Sequence, residues 1–147
     1  MFNYTLGYGV CLSNLEFKEN AAYLLLKHHM TDTLMDKYKE TFETNDGNYA
    51  MLTPTTAEIF AKEYQNDKTL ATGLPAMIVE IINEERNLVH HPFTYEDQCI
   101  YVQASIPIDI DDKNTMLTQK DIQRILREYS NPIICNNFKC DYLNIMN

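Results

Sequence analysis

Tryptophan is absent from this chain of 147 residues, and glycine occurs only four times, proline five times and cysteine four times. So little glycine and proline excludes collagen-like and low-complexity chains. Basic residues are also scarce: 12 Lys and Arg stand against 21 Asp and Glu, for a formal charge of −9. Such a chain repels a nucleic-acid duplex as a whole, so direct sequence-specific DNA binding is not expected. Long apolar runs are missing too. Stretches such as Ala21–Leu26 fall far short of the roughly 18 residues of a membrane span, so no membrane partner is expected. The opening Met1-Phe2-Asn3-Tyr4-Thr5 has no basic n-region or apolar h-region, which predicts a cytoplasmic address. There Cys11, Cys99, Cys135 and Cys140 remain thiols and the Asn3-Tyr4-Thr5 sequon is inert.

Hydrophobic residues make up 45% of the chain and aromatics 11%, enough apolar surface to offset chain entropy around one core. A single domain over residues 1–147 is predicted. Residues 2–12 alternate strictly, with Phe2, Tyr4, Leu6, Tyr8, Val10 and Leu12 on one face and Asn3, Thr5, Gly7, Gly9 and Cys11 on the other, the pattern of a strand. Gly7 and Gly9 leave a bare strip of backbone, open to a packed helix, a ligand or another chain, with the helix the preferred occupant.

Helical periodicity follows over Phe17–Met30, then over Thr31 to Glu43 with Thr31 as N-cap. A third helix starts near Pro54, capped by Thr53 or by Thr55 with Glu58. The most apolar helix opens at Gly73-Leu74-Pro75 and buries Leu74, Met77, Ile78, Ile81 and Ile82. Leu88–Tyr95 and Gln98–Ile106, joined by a Glu96-Asp97 turn, predict a hairpin whose first strand Pro92 assigns to an edge or a bulge. A last helix is capped by Thr118 with Asp121 in its first turn, and Ile133–Cys135 or Tyr142–Ile145 offers a further strand. The predicted fold class is α+β: an N-terminal strand plus a later hairpin forming a small antiparallel sheet, covered by four or five helices.

Chemical motifs are few. Cys135-x4-Cys140 with His28-His29 or His90-His91 sits at the outer limit of zinc-knuckle spacing and lacks a second pair, so no metal and no cofactor is expected. Asp109-Ile110-Asp111-Asp112-Lys113-Asn114 fails as an EF-hand, which needs glycine where Asn114 stands. Asp109 and Asp111, roughly 6.5–7 Å apart on an extended chain, could join Glu16 and Lys18 in a metal-dependent nuclease site, although the Glu-x-Lys element comes in the wrong order. No P-loop, nucleophile elbow, dinucleotide fingerprint, HExxH or deaminase pattern occurs.

Charge is the remaining signal. Glu80 and Glu84 are like-charge i,i+4 neighbours, and Glu84 and Glu85 lie at the negative end of their helix dipole. Lys120, Arg124 and Arg127 form a basic stripe that pairs with the acidic helix, meets an acidic partner or is simply solvated. The Gly7-Tyr8-Gly9 strand, the Leu74-Pro75-Ala76-Met77-Ile78-Val79-Glu80-Ile81-Ile82-Asn83-Glu84-Glu85 helix, the Cys99-Ile100-Tyr101-Val102 strand and the Leu117-Thr118-Gln119-Lys120-Asp121-Ile122 helix start together resemble small acidic accessory proteins of bacterial phages and mobile elements, the class that includes anti-CRISPR inhibitors. That resemblance implies an inhibitor and carries no single residue's role with it.

The leading expectation is an acidic, non-enzymatic binding protein that inhibits a basic nucleic-acid-handling protein, CRISPR effectors included, by mimicking nucleic acid through Glu80, Glu84, Glu85, Asp109, Asp111 and Asp112. The alternatives are a metal-dependent nuclease or other hydrolase built on Asp109, Asp111 and Glu16, and a regulatory domain with an unrelated protein partner.

Overall fold

The alternating N-terminal segment becomes an inner strand of a sheet because both of its backbone edges find partners. The computed structural model describes residues 4–65, 72–86, 93–96, 99–104 and 118–146. Its strands are β1 (Tyr4–Cys11), β2 (Phe93–Glu96), β3 (Cys99–Ala104) and β4 (Asp141–Met146), all antiparallel, in the order β2-β3-β1-β4. Among the described residues five α-helices, α1 (Ala21–His28), α2 (Asp32–Thr41), α3 (Pro54–Glu63), α4 (Gly73–Arg86) and α5 (Gln119–Ser130), accompany the sheet in an α+β fold. The predicted hairpin is β2–β3, with its register one residue later than expected: Glu96 still pairs, opposite Cys99. Of the two candidate tail strands, Asp141–Met146 joins the sheet, while Ile134 makes only a bridge to Phe17.

Cross-strand register puts Tyr8, Val10, Phe93, Tyr95, Ile100 and Val102 on one face, and these residues belong to or pack on the core. Helix α4 packs on β2 and α5 on β1, while α3 packs on α4 and α1 on α3. Sandwiched in this way, α4 buries Ala76 and Val79 besides the predicted Met77, Ile78, Ile81 and Ile82, and leaves Leu74 half-buried. No helix among the described residues is long and apolar enough to cross a membrane.

Two local expectations are corrected. Helix α1 starts at Ala21 rather than Phe17, because Phe17 pairs with Ile134, the Lys18 amide donates to the Ile133 carbonyl at 2.7 Å, and Asn20 turns left-handed at φ 63°. Tertiary pairing outcompetes the helical period there. The strip at Gly9 is filled by no helix: a Cβ there would lie 2.5 Å from Tyr101 Cβ and 2.6 Å from Tyr101 Cα, so the adjacent strand occupies the space. Of the competing caps of α3, Thr53 is used, in a reciprocal box with Thr56.

Candidate functional site

Of the acids singled out in the sequence, Glu80 is half-buried on α4, whereas Glu84 and Glu85 are exposed on its last turn. Asp109, Asp111 and Asp112 lie outside the described residues, as do His90 and His91. Glu84 accepts a hydrogen bond from Thr33 Oγ1 at 3.1 Å, which ties the end of α4 to α2. Glu85 Oε1 lies 3.3 Å from His29 Nδ1. His29 is the C-cap of α1, and its ring sits 4.8 Å from that of Tyr129 on α5.

Arg86 completes this knot. Its Nε donates to Tyr129 Oη at 3.2 Å and its Nη2 pairs with Glu128. The bond to Tyr129 raises the Arg86 pKa, while burial first, and then the bond to Glu85, raises that of the Tyr129 phenol. Both groups therefore hold their protons at neutral pH. The last turn of α4 fastens α1, α2 and α5 together, so Glu84 and Glu85 have structural contacts as well as exposure.

The basic stripe takes another course. Arg124 turns to Asp121 of its own helix at 3.4 Å and Arg127 to the Phe138 carbonyl at 3.5 Å. With Lys120, Gln123 and Lys139 they line a cleft of about 740 Å³. Gln123 forms its inner wall by pairing like a peptide unit: Nε2 donates to the Phe138 carbonyl at 2.9 Å and Oε1 accepts from the Cys140 amide.

A second acidic feature, carried by a spacing of four in the sequence, lies on α2. Asp32, Asp36 and Glu40 recur at i, i+4 and i+8, and all three are exposed along α2. At a rise of 1.5 Å per residue they span about 12 Å. The lysines of the same helix are drawn elsewhere, Lys37 Nζ to 4.8 Å from the Tyr64 ring centre and Lys39 Nζ to 5.3 Å from that of Tyr49. None of the three acids forms an ion pair among the described residues. Thr33 lies on the same side of the helix, so Glu84 extends the stripe into one acidic face.

No group of three or more His, Cys, Asp or Glu side chains among the described residues is placed to hold a metal ion. Cys140 is buried and its thiol is pushed up to about 12 by desolvation first and by Asp141 second, while Cys135 is exposed. Glu16 uses its backbone to bridge the tail, donating to Asn136 Oδ1 at 3.0 Å and accepting from the Cys135 amide at 2.7 Å.

Fold and site together define an α+β protein with a four-stranded antiparallel sheet, a helical layer and an acidic face built by α2 and the end of α4. No protein-family model, curated protein or solved structure matches the chain.

Proposed function

We propose that the chain is a non-enzymatic binding protein that presents carboxylates in place of phosphates to a basic, nucleic-acid-handling protein and thereby inhibits it, CRISPR effectors falling within that partner class. The observation that carries this reading is the unneutralised stripe Asp32, Asp36 and Glu40 beside Glu84. Each like-charge i,i+4 pair costs a few tenths of a kcal/mol, and Glu40 near the negative end of its helix adds an unfavourable dipole contact of about 0.3–1 kcal/mol. Asp32 gains from the positive end of the same dipole, whereas Asp36 and Glu40 have no such compensation, and carboxylates held on one helix about 6 Å apart along its axis suit a partner whose own surface is cationic. Asp109, Asp111 and Asp112, with Glu80 and Glu85, belong to the same proposal on sequence grounds.

The test is affinity capture from nuclease-treated extract of the native host, followed by binding measurements with the captured protein. The expected partner is a nucleic-acid-binding protein whose complex weakens with salt and competes with nucleic acid. Asp32→Asn/Asp36→Asn/Glu40→Gln should lower affinity about tenfold or more, equivalent to about 1.4 kcal/mol. Unchanged affinity at low and physiological salt would make the stripe a solvated face, and a partner with no nucleic-acid site would move the chain to the class of regulatory interaction domains.

A further inference from the structure

Two cysteines 88 positions apart in the chain meet where β1 ends and β3 begins. Cys11 and Cys99 are direct cross-strand partners, and their Sγ atoms lie 2.9 Å apart. Residues directly opposite in an antiparallel pair have Cα atoms about 4.5 or 5.5 Å apart, and both values lie inside the disulfide range of about 4.4–6.8 Å. A sulfur shift of about 1 Å completes a bond of about 2.05 Å. We infer that Cys11 and Cys99 form a cross-strand dithiol, a modification site that closes to an intramolecular disulfide on meeting a low-molecular-weight disulfide.

Exposure assigns the order of events. Cys11 is half-buried, whereas Cys99 is buried at 7% exposure, so Cys11 is the sulfur that solvent-borne reagents reach. The Cys11 thiol loses its proton to water and its thiolate attacks one sulfur of the reagent RSSR; a new S–S bond forms, the reagent's S–S bond breaks and RS⁻ leaves. The Cys99 thiolate then attacks Cys11 Sγ, forming the Cys11–Cys99 bond and expelling the second RS⁻. The two released protons convert both leaving groups to RSH. The protein is thereby oxidised by two electrons and the reagent reduced by two. In a reducing compartment the pair stays as thiols, and an oxidant pulse closes it reversibly.

Closure fastens the two inner strands of the sheet to each other. The loop it closes contains all of α1 to α4, including the acidic face, and a loop of that length restrains the unfolded chain strongly.

The experiment uses the full chain, reduced, freed of reductant and incubated with oxidised glutathione. Exposed Cys135 takes up a glutathione adduct; beyond it two thiols should disappear, non-reducing peptide mapping should recover the Cys11 and Cys99 peptides linked within one chain, and the melting temperature should rise by about 10 °C. A dithiol reductant should reverse all three changes. Cys99→Ser should stop at a glutathione adduct on Cys11 with no such rise, and Cys135→Ser should still form the Cys11–Cys99 link and the rise while losing only those two thiols. Retention of all four thiols, a glutathione adduct on Cys11 of the parent that never resolves, or a disulfide joining other cysteines would overturn the assignment. Mapping of the parent chain decides the question even if a serine variant fails to fold.

Discussion

Asn83 on α4 pairs with Phe93 of β2 through two hydrogen bonds of 2.9 Å each, its Nδ2 donating to the Phe93 carbonyl and its Oδ1 accepting the Phe93 amide. One side-chain amide thus stands in for a neighbouring strand at the sheet edge and joins that strand to the central helix. Gln123 does the same for Phe138 and Cys140, and Asn136 for Asn14 and Glu16.

Truncating such a clamp leaves backbone groups without a partner. Asn83→Ala is expected to lower stability by about 2 kcal/mol, two hydrogen bonds at about 1 kcal/mol each. Urea unfolding checks it, and a change below about 0.5 kcal/mol would show that water replaces the amide at no cost.

Gly9 and Gly47 should respond to alanine for different reasons. At Gly9 the new Cβ collides with the Ile100 carbonyl and the Tyr101 backbone, so a loss of about 3 kcal/mol or more is expected, with β1 and β3 forced apart. Gly47 has φ +79° and open space around it, so only the left-handed conformation resists, at about 1 kcal/mol. Thermal unfolding of the two variants separates collision from backbone strain.

The start of α5 should be acid-sensitive. Thr118 Oγ1 accepts the Asp121 amide at 3.2 Å and Asp121 Oδ2 accepts the Thr118 amide at 3.1 Å. The bond from the Thr118 amide first, and then one of 2.9 Å donated by Thr118 Oγ1 to Asp121 Oδ2, hold the Asp121 carboxyl below the usual aspartate range. A depressed folded-state pKa means that the stabilisation is present above the ordinary value and is lost as pH falls through the folded one. Thr118→Ala should cost about 1 kcal/mol at neutral pH. Asp121→Asn should flatten the acid limb of the stability curve, and an unchanged limb would remove Asp121 from the account.

Cys140 should be chemically silent and alkali-sensitive. With its thiol pushed up to about 12, the folded state keeps the proton that the unfolded state releases near its ordinary value. Stability is therefore intact below about pH 9 and falls from there towards pH 12. Alkylation of the native chain at neutral pH should label exposed Cys135 and spare Cys140. Rapid labelling of Cys140 would mean that the segment following α5 opens readily.

Features set by neighbours in the chain were open to reading from residues alone. Thr31 and Thr118 cap their helices as predicted, and Thr53 is the one used of the two caps offered for α3, because a cap involves residues three apart. The alternation of residues 2–12 announced β1, and Pro54 and Gly73 marked two helix starts. The acidic repeat on α2 is equally local, a spacing of four written in the sequence.

Everything that depends on which distant segments meet was decided by tertiary structure. Periodicity says which face of a strand is apolar but not which strand lies beside it, so neither the β2-β3-β1-β4 order nor the filling of Gly9 by Tyr101 followed from the pattern. The Cys135-x4-Cys140 spacing drew notice, yet register brought Cys11 to Cys99, a relation hidden by 88 intervening steps. The start of α1 was trimmed by a bridge to Ile134, more than a hundred residues away. Lys37 and Lys39 left the acids of α2 uncovered because Tyr64 and Tyr49 lay within their reach. Helices and caps arise from interactions a few residues long, whereas sheets, clamps and charged faces arise from contacts that only the folded chain creates.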